Sequence, residues 1–231
     1  MNNDVMEVIV PCCSFLKKAD EDSELISECL FGEEIEILII EHDWVYGRLL
    51  TDNYEGWTKK ENLDKRKKKT HRVVAPRSTL HISPDIKDKV VHLLSLGSKL
   101  QVIEKSEKWA TIKYYFNKNK VLGYVPSTHL VELDNVNPDW VSVAEKLVGT
   151  PYKWGGRSSL AIDCSALVQL CMQVAGQKFP RDSMMQCKLN LNSVANLKDL
   201  KRGMLIFWRG HVAIAIDNKN IIHANAYHMS T

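Results

Sequence analysis

The sequence predicts an α+β protein in which two small all-β units precede a domain of helices and antiparallel strands. Three observations carry this. Residues 1–130 contain an internal repeat of short runs that alternate apolar and polar residues. From Thr150 a Gly-Gly and Ser-Ser loop gives way to a helical pattern. The C-terminal stretch LIFWRGHVAIAIDNKNIIHANAYH then returns to strands around two turns.

The repeat emerges when the two halves of the N-terminal region are laid together. Gly32 matches Gly97, Ile35 matches Leu100, Ile37 matches Val102 and Trp44 matches Trp109. Gly56-Trp57 then matches Gly123-Tyr124, and Leu63 matches Leu130. EEIEILII and WVYGRLL in the first copy, and KLQVIE and WATIKYY in the second, have the period of half-buried strands. The copies occupy 1–64 and 71–134, and the basic run Lys65-Arg66-Lys67-Lys68-Lys69 within 65–70 reads as a solvated linker. Trp44 and Trp109 read as core and turn packing. Tyr54 lies in DNYEGW among polar neighbours, which predicts an exposed ring, and the second copy has no equivalent.

The remaining residues, 135–231, open on Asn137-Pro138-Asp139, a helix start with Asn as cap and Pro at the first helical position. Trp140, Val143, Ala144, Leu147 and Val148 form its predicted buried stripe. In TPYKWGGRSSLAIDCSALVQL, Asp163 sits where an N-cap belongs and Leu167, Leu170, Cys171 and Val174 recur at helical spacing up to a stop at Gly176. Cys164 then falls in the first turn, where unpaired N–H groups and the helix dipole favour a thiolate. Pro180-Arg181-Asp182-Ser183 opens a third helical stretch, MMQCKLN, with Asp182 or Ser183 capping it.

Cys164 read alone is a small buried apolar residue, and a lone histidine on an apolar strand is a satisfied core residue. The C-terminal strands alter both readings. Met204–Trp208, His211–Ile216 and Ile221–Ala224 form hairpins, the last across Asp217–Asn220, so His211 and His223 become near neighbours. Cys164, His211 and His223 therefore supply a thiol, an imidazole base and a polar group to fix that base, the set required for nucleophilic catalysis.

Composition narrows the alternatives. A chain of 231 residues, 45% hydrophobic and 26% charged, is an ordinary globular mixture. The net charge of +3 lacks the aromatic interleaving that nucleic-acid binding calls for. No apolar run approaches the roughly 18 residues of a membrane span. The opening MNNDVMEVIV lacks the regions of a secretory signal, and the six cysteines have neither paired nor metal-ligand spacing, which points to free thiols in a reducing cytosol. Nothing calls for a metal, nucleotide or other cofactor.

PYKWGG, DCSALVQ, PRDS, LKRGMLIFW, GHVAIAI and IIHA occur in the order found in NlpC/P60 cysteine peptidases, which the chain resembles from about Pro138 onward. The repeats resemble bacterial SH3 (SH3b) barrels. The resemblance implies a papain-like domain, with the helix bearing Cys164 packed on an antiparallel sheet bearing His211 and His223. It implies cleavage of murein peptides after γ-D-glutamate, releasing L-Ala-D-Glu from an L-Ala-γ-D-Glu-diamino acid substrate, in cell-wall recycling. On the same basis Tyr54 and Asp163 receive the substrate amine, Ser183 and Ser165 bind substrate, and Tyr152 assists the oxyanion. Ala166 and Met204 stand where the family usually has Gly and Asp. The chain ends at Thr231, where the resemblance leads one to expect a further strand or two, so a C-terminally truncated domain is the expectation. Three other readings stay open: a secreted hydrolase of intact wall anchored by its SH3b units, a non-catalytic wall-peptide binder, and an acyl transferase of the same fold.

Overall fold

Alternating apolar and polar residues make the N-terminal region a succession of antiparallel strands. The computed structural model describes residues 4–116, 119–136, 138–189 and 196–231, and the chain divides into units Met1–Asn135 and Val136–Thr231. The first unit begins with β1 (Val5–Val8), β2 (Cys12–Leu16), β3 (Leu25–Leu30), β4 (Glu34–Glu41), β5 (Trp44–Leu49), β6 (Glu55–Lys59) and β7 (Leu63–Lys65). These form one sheet in the order β3-β2-β6-β5-β4-β1-β7. Next come β8 (His71–Val73), β9 (Arg77–His81), β10 (Val90–Ser95), β11 (Lys99–Leu100), β12 (Val102–Lys105), β13 (Trp109–Phe116), β14 (Asn119–Pro126) and β15 (Leu130–Glu132). Their sheets run β10-β9-β14-β13-β12 and β11-β8-β15. If β11 and β12 are taken as one strand interrupted at Gln101, the strand order of the first copy recurs.

The correspondence reaches finer detail. Both copies place a 3-10 turn, Lys60–Asn62 or Ser127–His129, before the final strand. Both break register in the corresponding pairing, between Ile37 and Ile39 and between Val102 and Glu104. The matched Gly32 and Gly97 have φ of 75° and 86°, where a side chain is strained. At Gly32 there is no room either, since a Cβ would lie 1.9 Å from the Lys99 carbonyl oxygen.

Separate cores lie in the two copies, one around Val8, Phe15, Ile35 and Leu49, the other around Leu80, Leu94, Leu100 and Ile112. Phe31 of the first copy packs into the second core, and its carbonyl accepts the Lys99 N–H at 2.8 Å. The basic run is not simply solvated. Lys67 Nζ donates to the buried Glu7 carboxylate at 2.9 Å and Lys69 joins it, so alternate lysines turn inward onto β1. Tyr54 also departs from expectation, because it is half-buried against the first core. His81 is buried, with its Nε2 2.9 Å from the Thr79 hydroxyl and its ring edge-on to Trp109.

In the second unit, α1 (Trp140–Glu145) is capped by Asp139, whose side chain accepts the Ser142 N–H. The predicted cap Asn137 lies outside the described residues. Leu147 is buried as the stripe requires, but α1 has ended before Val148, which is exposed. A short hairpin, β16 (Arg157–Ser158) and β17 (Ala161–Ile162), leads into α2 (Cys164–Val174), and α3 (Ser183–Cys187) follows. The sheet is β18 (Leu205–Trp208), β19 (His211–Ala215) and β20 (Ile221–Ile222), antiparallel in that order.

Helix α2 packs on central strand β19 and against α1, which buries all of its residues except Gln173. Its predicted apolar stripe is thus only part of a helix covered on every side. The buried Gln169 is satisfied by the buried Arg157, whose Nε donates to Oε1 at 2.6 Å, and by the Phe179 carbonyl. The tail after β20 pairs with the segment before β16. Ser230 bridges Pro151 and Asn225, and the Tyr152 N–H donates to the Met229 carbonyl at 3.0 Å.

Candidate active site

Asp163 is the N-cap of α2, in extended conformation, and its Oδ1 accepts the Ala166 N–H at 2.8 Å. Cys164 is therefore the first residue of the helix. Packing of α2 on β19 sets its sulfur against the N–H of Val212, the residue after His211. His211 opens β19 and His223 lies one residue beyond β20 rather than within the strand. Their rings meet edge to face, with His211 Nε2 and His223 Nδ1 2.8 Å apart. The Asn225 side-chain amide reaches His223 Nε2 at 3.4 Å, and its oxygen accepts the His228 N–H at 2.8 Å.

The electrostatics correct one expectation. Burial pushes the Cys164 thiol above its ordinary value and the Asp163 carboxylate adds to the push. The Val212 and Ser165 N–H groups and Arg181 pull the other way without reversing it. The dipole argument for a resting thiolate is thus outweighed by desolvation and by a neighbouring negative charge. Burial also lowers His211, His223 adds to that, and Asp163 opposes it. Both shifts favour the neutral form, of the thiol and of the imidazole.

Arg181, which the sequence reading left without a role, is only 2% exposed. Its Nη1 donates to Asp163 Oδ1 at 3.0 Å and its Nη2 to Oδ2 at 2.6 Å. Nη1 also donates to the Ser165 hydroxyl at 3.0 Å, and that hydroxyl donates to Asp163 Oδ1 at 3.1 Å. Gln186 of α3 donates to the Ser165 carbonyl at 2.9 Å. Asp163 is therefore half of a buried ion pair and not a free carboxylate, and the Ser165 hydroxyl is engaged within the protein. The available signal was chemical: a carboxylate capping a buried helix needs a cation, and PRDS supplied one.

Ser183 is the first residue of α3 and half-buried, and the N-cap Asp182 makes no side-chain capping bond. Tyr152 is half-buried, and its phenol is raised by burial, with Cys164 and Asp163 adding, which places it within electrostatic reach of the sulfur. Tyr54 lies in the other unit, tied by its own N–H to Asp52 at 3.0 Å. Trp208 was also missed. It is the cross-strand partner of His211, with ring centroids 4.7 Å apart.

Comparison with known proteins agrees with this architecture. Residues 149–231 match the NlpC/P60 family, and residues 16–63 match the bacterial dipeptidyl-peptidase SH3 domain. Over 94% of this chain and 86% of the relative, the sequence is 25% identical to dipeptidyl-peptidase 6 of Lysinibacillus sphaericus. It is 24% identical to the γ-D-glutamyl-L-lysine dipeptidyl-peptidase of Bacillus subtilis, over 88% and 73% of the two chains. The crystal structure of an NlpC/P60 family protein from Bacillus cereus superposes with a TM-score of 0.84 at 18% identity, covering 98% of this chain and 92% of that one, a likeness of fold.

Proposed function

Because the chain is a peptidase with an NlpC/P60 domain at 149–231 and a bacterial SH3 domain before it, we propose that it hydrolyses the γ-D-glutamyl bond to the diamino acid in murein peptides with a free N-terminal L-Ala. The observation that carries this reading is the hydrogen bond between His211 and His223 beside a helix whose first residue is Cys164. The two relatives named as dipeptidyl-peptidases support the substrate class. The repeated strand order supports SH3b barrels in both N-terminal copies.

In this mechanism Cys164 attacks the carbonyl carbon as its thiol proton passes to His211, a concerted transfer that suits two groups both shifted toward the neutral form. His223 occupies Nε2 of His211, which leaves Nδ1 to take the proton. The Cys164 N–H and the Tyr152 hydroxyl receive the oxyanion, where one such donor contributes about 3 kcal/mol. His211 then protonates the leaving amine, and water releases the acyl group. Ser183 meets the D-glutamyl carboxylate. Asp163 Oδ1 already accepts from Ala166, Ser165 and Arg181, so the substrate amine is received at Oδ2, beside Arg181 Nη2.

The test uses Cys164→Ala with L-Ala-γ-D-Glu-diaminopimelate. Turnover is expected to vanish while circular dichroism and melting stay unchanged; retained hydrolysis removes the assignment. A hydrolase of intact wall shares the same three residues, and parallel incubation with purified peptidoglycan decides between them. The free tripeptide is expected to be cut and the sacculus left whole.

A further inference from the structure

The hairpin that presents His211 also presents an aromatic residue with no assigned task. Strands β18 and β19 are joined by the two residues Arg209 and Gly210, with Gly210 at φ 74°, so Trp208 and His211 are direct partners across the pair. The indole lies 4.7 Å from the His211 ring centroid, tilted by 36°, and 6.1 Å from that of His223. Trp208 is 47% exposed. The indole is thus half-exposed, packed at a shallow tilt against the His211 ring, with His223 at longer range and steeply inclined.

We propose that Trp208 is a positioning residue for the reaction: stacked on His211 and reaching His223, its indole holds the imidazole plane and keeps water off the hydrogen bond between the two rings. The inference rests on the catalytic reading above. Two physical arguments support it. A hydrogen bond at the protein surface weakens when water competes for its donor and acceptor, and a large apolar cover suppresses that competition. An aromatic face beside an imidazole also attracts the imidazolium that forms when His211 takes the thiol proton, so the contact strengthens as the reaction proceeds. The titratable groups acting on His211 are His223 after β20 and Asp163 at the head of α2.

The experiment compares Trp208→Ala and Trp208→Phe with the unsubstituted chain on the free tripeptide. Trp208→Ala is expected to lower kcat at least tenfold with KM within threefold, and Trp208→Phe to recover kcat to within threefold. A spectroscopic arm follows the difference in tryptophan emission between the unsubstituted chain and Trp208→Phe as pH falls. Emission from Trp208 is expected to be quenched as His211 protonates, and that inflection is expected to disappear in His211→Ala. A rise in KM with kcat unchanged makes Trp208 a substrate platform and overturns the proposal, as does a Phe variant no better than Ala. If the unsubstituted chain cuts no tripeptide, it is the catalytic reading that has failed, and the emission arm still reports whether the stacking exists.

Discussion

At the scale of single residues, the site is governed by charges placed out of water. Burial raises the Cys164 thiol, and Asp163, which caps α2 and is held there by Arg181, adds to the rise. Removing one member of a buried pair strands the other, typically at about 3–5 kcal/mol. Arg181→Met is accordingly expected to lose about that much stability in a denaturant titration, with much of it recovered in Arg181→Met combined with Asp163→Asn. A loss no larger than that of a surface substitution would show the pair to be dispensable. The raised thiol has its own signature. Alkylation of Cys164 by iodoacetamide, followed by peptide mapping to separate it from the exposed Cys187, is expected to climb with pH through and beyond the ordinary thiol value of about 8.5. A plateau reached at mildly acidic pH would instead mean an ion pair with His211 already formed.

Among the elements, the turns show where geometry and space separate. Gly32 and Gly149 share a left-handed backbone, at φ 75° and 85°, but a Cβ on Gly149 meets nothing within 4 Å. Gly149→Ala is expected to cost only the conformational penalty of about 1–2 kcal/mol. Gly32→Ala adds a collision with the Lys99 backbone and is expected to cost clearly more, and melting of the two variants ranks them. An equal loss would mean that the Lys99 strand yields freely. The repeat was legible because strand alternation, paired glycines and a closing apolar residue are local signals. The inward turn of Lys67 and Lys69 was not, since a basic run reads as solvated until Glu7, far away in sequence, is set beside it.

Across the whole molecule, the histidines whose titration moves shift in one direction. Burial lowers His71 and His92 in the first unit and His211 and His223 in the second. The unfolded chain therefore binds protons first as pH falls through about 6.5, and stability present above that value is lost as pH drops toward the folded-state values. Denaturant midpoints of both units are expected to be lower at pH 5.5 than at pH 7.5; equal midpoints would remove the linkage. What the sequence determined by itself follows the same divide between local and distant. Periods of two and 3.6, a capping aspartate before a cysteine, and two histidines around a short turn are written in neighbouring residues, so strands, α2 and the candidate Cys–His–His set could be read directly. Arg181 under Asp163 and the shift of the Cys164 thiol were decided only by tertiary structure. Each depends on which groups folding removes from water together, and burial and mutual distance are properties of the packed chain that no window of sequence contains.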